Sequence, residues 1–231
     1  MSQTLKSSFS LRLFIFVFML SSLTACEKET DETETKPEPV IITIHTDITY
    51  QTIAGFGGAN RIWGTQFLKP VEAKKAFGTD ETDLGLSLFR VRLASDSTEW
   101  PLILESVKEA QKYGVKILAS PWSPPADLKS NNSDVGGYLL PENYKAFTDY
   151  INSFVAYMAA NGVDIYAVSI QNEPDIQVSY ESCDWTSARM INFLKDYGNL
   201  IEAKVAAPES FNFNPWFTDD LLEDAGVCSH S

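Results

Sequence analysis

An amide and a carboxylate stand side by side in the run Ser169-Ile170-Gln171-Asn172-Glu173-Pro174-Asp175. Val163 to Ile170 is apolar and rich in β-branched residues, and Pro174 lacks the N–H that would extend a ladder, so a β-strand should stop just before Asn172. A glutamate at the carboxyl end of a parallel strand is placed for general acid and base work, and an adjacent asparagine can hydrogen-bond a hydroxyl. Other strand ends carry Asn60 and Trp63, Arg90 and Arg92, Trp122, and Glu209. Singly these read as core plugs, structural ion pairs or a helix cap. Gathered at one end of a sheet they suit a sugar: indole faces stack on pyranose rings, guanidiniums hold carboxylates and amides bind hydroxyls.

The elements that must position them follow from periodicity. Ser87 to Leu93 reads as a strand with Arg90 and Arg92 on one face and Phe89, Val91 and Leu93 on the other, and two inward guanidiniums require acids nearby. Leu102 to Tyr113 reads as a helix closed by Gly114, and Val115 to Ser120 as the next strand, ending in the rigid Pro121-Trp122-Ser123-Pro124-Pro125. Pro141 and Gly162 bracket a helix whose stripe of Tyr144, Phe147, Ile151, Phe154, Val155 and Met158 belongs to a core. Thr186 caps a helix carrying Met190, Phe193, Leu194 and Tyr197, and Lys204 to Ser210 is a short strand. Ile41 to Ile53 alternates β-branched and polar residues and predicts one or two strands of an antiparallel element. The glycines of Gly55 to Gly58 predict a tight backbone, without the spacing of a phosphate loop. Counting a strand near Phe56, five β units with intervening helices give a parallel α/β pattern, compatible with a barrel or a doubly wound sheet. A complete eight-unit barrel typically needs about 250 residues, so residues 40–231 predict a partial one.

Composition sets limits. The 231 residues carry 31 acidic and 18 basic side chains, a net charge of −13, which argues against nucleic acid as a partner and leaves neutral polysaccharide open. The two histidines, His45 and His230, cluster with nothing, and there is no CxxC, so neither a metal nor a cofactor is expected. Cys183 and Cys228 could pair or remain free thiols.

The amino terminus reads separately. Lys6 and Arg12 precede the apolar stretch Leu13 to Leu20 and Leu23-Thr24-Ala25-Cys26, which resembles a bacterial lipoprotein signal: cleavage before Cys26 and a diacylglycerol on its thiol. A signal cut elsewhere or a short anchor is the plainer alternative. Residues 27–39 contain no large apolar side chain and predict a solvated tether. Their acidity resembles an export signal of surface-exposed lipoproteins, or is simply that of a spacer. The expected organisation is a signal peptide at 1–25, a tether at 26–39 and a globular domain at 40–231, in an exported chain lipid-anchored to a bacterial membrane, with the outer-membrane surface as one destination.

Five stretches, in order, are similar to glycoside hydrolase family 30 of the retaining (β/α)₈ glycosidases: Gln51 to Gly58, Leu88 to Val91, Ala119 to Pro125, Val168 to Asp175 and Val205 to Ser210. The xylanase-like branch resembles this chain more than the glucosylceramidase branch does. The resemblance implies a TIM barrel with strands of a side β-sandwich before it, and a β-linked glycan as substrate. It also implies Glu173 as general acid and then base, Asn172 as the partner of the sugar C2 hydroxyl, Arg90 as orienter of the nucleophilic carboxylate, and Trp122 and Trp63 as sugar-binding residues.

Retention needs a second carboxylate about 5 to 5.5 Å from the first. The family supplies it as a glutamate on the seventh barrel strand, and the chain reaches only about five β/α units. The expectation is therefore an amino-terminal portion, lacking the nucleophile and inactive as it stands, to which Glu209 is no substitute. A non-catalytic surface glycan-binding lipoprotein is the alternative, as are a glucosylceramidase or a β-1,6-glucanase within the enzymes.

Overall fold

The computed structural model describes residues 40–50, 52–59 and 67–228. Trp63, Asn60, Cys26, and the signal and tether segments lie outside these residues. The chain divides into two units at Gln51.

In the first unit, residues 40–50 form no strand: the chain is exposed and carries a turn at Thr46 and Asp47. This corrects the expected side-sandwich strands at 41–53. Alternating β-branched residues favour a pleated backbone, but a strand exists only when its N–H and C=O groups meet a ladder partner. None is present among the described residues, and Val40, Ile41 and Ile44 remain more than four-fifths exposed.

Among the described residues the second unit carries five strands: β1 (Gly57–Ala59), β2 (Leu88–Leu93), β3 (Lys116–Pro121), β4 (Ile165–Ser169) and β5 (Lys204–Ala206). All pair in parallel and stand in sequence order. A doubly wound sheet would reverse direction and place later strands beyond the first. The unbroken order 1-2-3-4-5 is the winding of a barrel.

Helices cross between the strands. α1 (Pro70–Phe77) starts on proline, with the Glu72 carboxylate accepting from the Lys69 N–H at 2.8 Å. α2 (Leu104–Gln111) follows a 3₁₀ turn at Ser97–Ile103. α3 (Tyr144–Ala160) ends with Gly162 at φ +78°, where the Gly162 N–H reaches the Ala159 carbonyl and the Val163 N–H the Met158 carbonyl. That double closure needs a left-handed residue, which glycine supplies without strain. α4 (Ser187–Tyr197) is capped by the Thr186 hydroxyl, which accepts from the Arg189 N–H at 3.3 Å. α5 (Pro215–Glu223) and the short α6 (Ala225–Cys228) follow β5.

The core lies between sheet and helices. Phe89, Val91 and Leu93 of β2, Ile117 and Ala119 of β3, and Val168 of β4 pack with Phe147, Ile151, Phe154 and Met158 of α3 and with Met190 and Phe193 of α4. The opposite face keeps Arg90, Arg92 and Ser120, so strand alternation separates core from chemistry. β1 carries glycine for a steric reason: a Cβ on Gly57 would lie 2.4 Å from the Leu88 carbonyl oxygen.

Candidate active site

Two backbone hydrogen bonds hold the Asn172-Glu173 pair. The Asn172 N–H donates to the Pro121 carbonyl at the end of β3 (2.8 Å), and the Glu173 N–H to the Glu209 carbonyl beyond β5 (3.1 Å). Asn172 and Glu209 bridge in parallel, so the sheet continues past its last regular rung to bring the two together. Glu173 then adopts φ +50°, a left-handed conformation that costs a non-glycine residue about 1 kcal/mol or more and occurs preferentially at functional sites.

Arg90 organises the side chains. Its Nε donates to Ser120 Oγ at 3.0 Å and to Glu209 Oε1 at 3.1 Å, and its Nη2 to Glu209 Oε2 at 3.2 Å and Asn172 Oδ1 at 2.7 Å. Ser120 Oγ also donates to Glu209 Oε1 at 3.2 Å. A guanidinium has donors only, so Asn172 must turn its oxygen to Arg90 and leave its NH₂ as the group a ligand can use. The carboxylate that Arg90 grips is Glu209, identified from the sequence only as a strand-end candidate.

Trp122 differs from a sugar platform in its surroundings. The indole is 6% exposed, and the Arg90 guanidinium carbon lies 4.6 Å from its ring centroid. A cation–π contact covers that face, making Trp122 a floor under Arg90.

The β4–α4 loop supplies residues that sequence reasoning missed. The Tyr180 hydroxyl donates to Glu173 Oε2 at 3.2 Å. Burial, and then the neighbouring Glu173 carboxylate with its hydrogen bond, push the phenol above the ordinary tyrosine range. Glu181, next in sequence, meets Arg92 from Nε at 2.8 Å and also from Nη2, and Arg92 Nη1 reaches Glu99 at 2.9 Å. These are the acids that the inward guanidiniums required. Burial pushes the Glu181 carboxyl up, against the pull of Arg92. Nothing in the sequence pointed to Tyr180 or Glu181, because loop residues carry no periodicity.

Asp175 braces the next loop. It accepts from Ser210 Oγ (2.6 Å), the Phe211 N–H (2.8 Å) and Asn214 Nδ2 (2.8 Å). Burial raises its pKa, but these donors together outweigh it and hold the carboxyl below the usual range. Cys183 is a buried free thiol pushed up to about 12, chiefly by burial.

Of the three glutamates at this site, Glu173, Glu181 and Glu209, only Glu173 meets no cation among the described residues, and it lies beside an oriented amide and two fixed loops. The carboxylates of Glu209, Glu181 and Asp175 are each committed to donors.

Comparison with known proteins places this geometry. Residues 73–201 match the glycosyl hydrolase family 30 TIM-barrel domain. The chain is 35% identical over 187 residues to glucuronoxylanase XynC of Bacillus subtilis (strain 168), covering 79% of this chain and 44% of that protein. It is 27% identical over 239 residues to putative glucosylceramidase 2 of Caenorhabditis elegans, covering 81% of this chain and 46% of that protein. Among solved structures, the family 30 subfamily 8 xylanase Xyn30A of Clostridium acetobutylicum superposes with a TM-score of 0.71 at 34% identity, over 80% of this chain and 49% of that one. The chain thus spans less than half the length of these two curated relatives. The ordered five-strand parallel winding, the strand-end Asn172-Glu173 pair and the family match over 73–201 agree: this chain belongs to glycosyl hydrolase family 30.

Proposed function

We propose that the chain carries the acid/base half of a retaining β-glycosidase site that acts on xylan or a related β-glycan. The observation that carries this reading is Glu173 at the carboxyl end of β4, turned out at φ +50° next to an asparagine whose oxygen is held by Arg90. As a carboxylic acid, Glu173 protonates the leaving glycosidic oxygen; as a carboxylate, it then takes the proton of the attacking water. Asn172 donates its NH₂ to the sugar C2 hydroxyl, a contact that strengthens as the ring becomes oxocarbenium-like. Arg90 fixes that amide, with Trp122 beneath it. Because Glu209, Glu181 and Asp175 are committed elsewhere, we assign the attacking carboxylate of the pair to a residue outside the described ones.

Xylan is favoured over other β-glycans by the 35% identity to a glucuronoxylanase, against 27% to a putative glucosylceramidase. Glucosylceramide and β-1,6-glucan are the competing substrates within the family. We also propose export and lipid anchoring through Cys26, supported by the Leu23-Thr24-Ala25-Cys26 run. Loss of metabolic palmitate labelling in Cys26→Ser tests that part.

Calorimetry of the chain with xylo-oligosaccharides and with β-1,6-gluco-oligosaccharides, alongside reducing-sugar release from glucuronoxylan, tests the site. The expected result is xylo-oligosaccharide binding that Asn172→Ala abolishes, with any hydrolysis abolished by Glu173→Gln. Preference for the β-1,6-glucan would overturn the substrate. Hydrolysis unaffected by Glu173→Gln would overturn the assignment of the acid/base.

A further inference from the structure

Lys129 lies in the loop between β3 and α3 and is only 3% exposed. Its ammonium donates to two neutral oxygens, Ser123 Oγ at 2.8 Å and the Ser182 carbonyl at 2.6 Å. Burial pulls its pKa below the usual lysine range, opposed by Cys183, Asp134, Asp184 and Glu181. Taking an ammonium out of water is costly, and a methionine of similar length would fill the space without that cost. What the ammonium adds is directed donors.

The two acceptors belong to different walls of the candidate site. Ser123 follows Trp122 at the end of β3. Ser182 sits in the β4–α4 loop with every polar group engaged: its N–H donates to the Asp134 carbonyl (2.8 Å), its hydroxyl accepts from the Gly136 N–H (2.9 Å) and donates to the Tyr180 carbonyl (2.9 Å), and its own carbonyl receives Lys129. Two residues earlier, the Tyr180 hydroxyl meets Glu173. An unbroken series of contacts therefore runs from the Trp122 loop through Lys129, Ser182 and Tyr180 to Glu173.

We propose that Lys129 is a positioning residue for Glu173: its ammonium ties the Trp122 loop to the β4–α4 loop and thereby sets the Tyr180 hydroxyl against the Glu173 carboxylate. The proposal deepens the acid/base reading of Glu173 and rests on it. Lys129 itself touches no reacting atom. It acts by removing freedom from a loop whose tyrosine must hold one orientation, since a group placed only part of the time contributes only that fraction of its effect.

The test reads Tyr180 directly in the full chain. Protein labelled with ¹³Cζ-tyrosine is titrated by NMR, with the Tyr180 resonance assigned by its loss in Tyr180→Phe. In the wild-type chain that resonance should titrate above the ordinary tyrosine value, and Glu173→Gln should bring it down. Lys129→Met should move it down by at least half as much, and the double variant no further than Glu173→Gln alone. A Tyr180 midpoint unchanged in folded Lys129→Met would overturn the proposal. Should that variant not fold, Ser123→Ala, which removes one acceptor and no core volume of consequence, decides: a lowered midpoint supports the tie, and an unchanged one overturns it. Failure of the glycosidase reading is seen separately, as absent glycan binding with the Tyr180 titration intact.

Discussion

Arg90 and Glu209 are 119 residues apart in sequence, yet they meet through two hydrogen bonds of 3.1 and 3.2 Å that join the second strand to the segment after the fifth. The same guanidinium fixes the Asn172 amide. Replacing Arg90 by methionine leaves a part-buried carboxylate without its partner and frees the amide to turn. Because both side chains are about a quarter exposed, the loss is screened, and about 2 kcal/mol is expected rather than the full cost of a buried ion pair. Urea unfolding should show a lower midpoint at unchanged slope. A variant as stable as wild type that still binds xylo-oligosaccharide would deny Arg90 both roles.

Asp175 makes stability depend on pH in a definite direction. Burial alone would raise its carboxyl, but Ser210, the Phe211 N–H and Asn214 hold it below the unfolded value of about 3.9. A carboxyl with a depressed folded pKa contributes stability that is fully present above the unfolded value and is lost as the pH falls through the folded one. Asp175→Asn should therefore be less stable than wild type at pH 7, with the gap shrinking below about pH 4. Urea midpoints at pH 7 and pH 3.5 measure it, and a gap that stays constant or widens in acid contradicts the assignment.

Cys183 should be chemically silent in the folded chain. Its thiol is raised to about 12, mainly by burial, so almost no thiolate exists at pH 8 and reagents lack access. In a Cys26→Ser, Cys228→Ser background, reaction with a thiol-specific disulfide reagent should be on the order of a thousandfold slower in buffer than in urea. Similar rates in both would mean that the thiol is accessible.

Gly57 and Gly58 form a matched pair of tests at β1. A methyl on Gly57 would meet the Leu88 carbonyl oxygen at 2.4 Å and Leu88 Cβ at 2.6 Å, whereas on Gly58 its nearest neighbour is Leu86 Cδ1 at 3.7 Å. Gly57→Ala should destabilise by about 1–3 kcal/mol, as overpacking does, and Gly58→Ala should cost much less. Equal effects on thermal midpoint would show that the two strands do not pack this closely.

The sequence by itself determined the local elements, the family and the position of the acid/base candidate. Tyr144, Phe147, Ile151, Phe154 and Met158 share one helical face in any context, proline and glycine punctuate the ends of α3, and the alternation of β2 puts its arginines opposite its core residues. These are short-range properties, so periodicity exposes them. Tertiary structure alone decided which groups meet. That Arg90 holds Glu209, that Tyr180 donates to Glu173, that Lys129 joins two loops and that Trp122 lies beneath a guanidinium all depend on sheet register and on irregular loops, whose contacts leave no repeating pattern along the chain. The alternation at 41–53 failed for the same reason. β-propensity proposes a strand, but only a partner within hydrogen-bonding distance makes one, and residues 40–50 have none among the described residues.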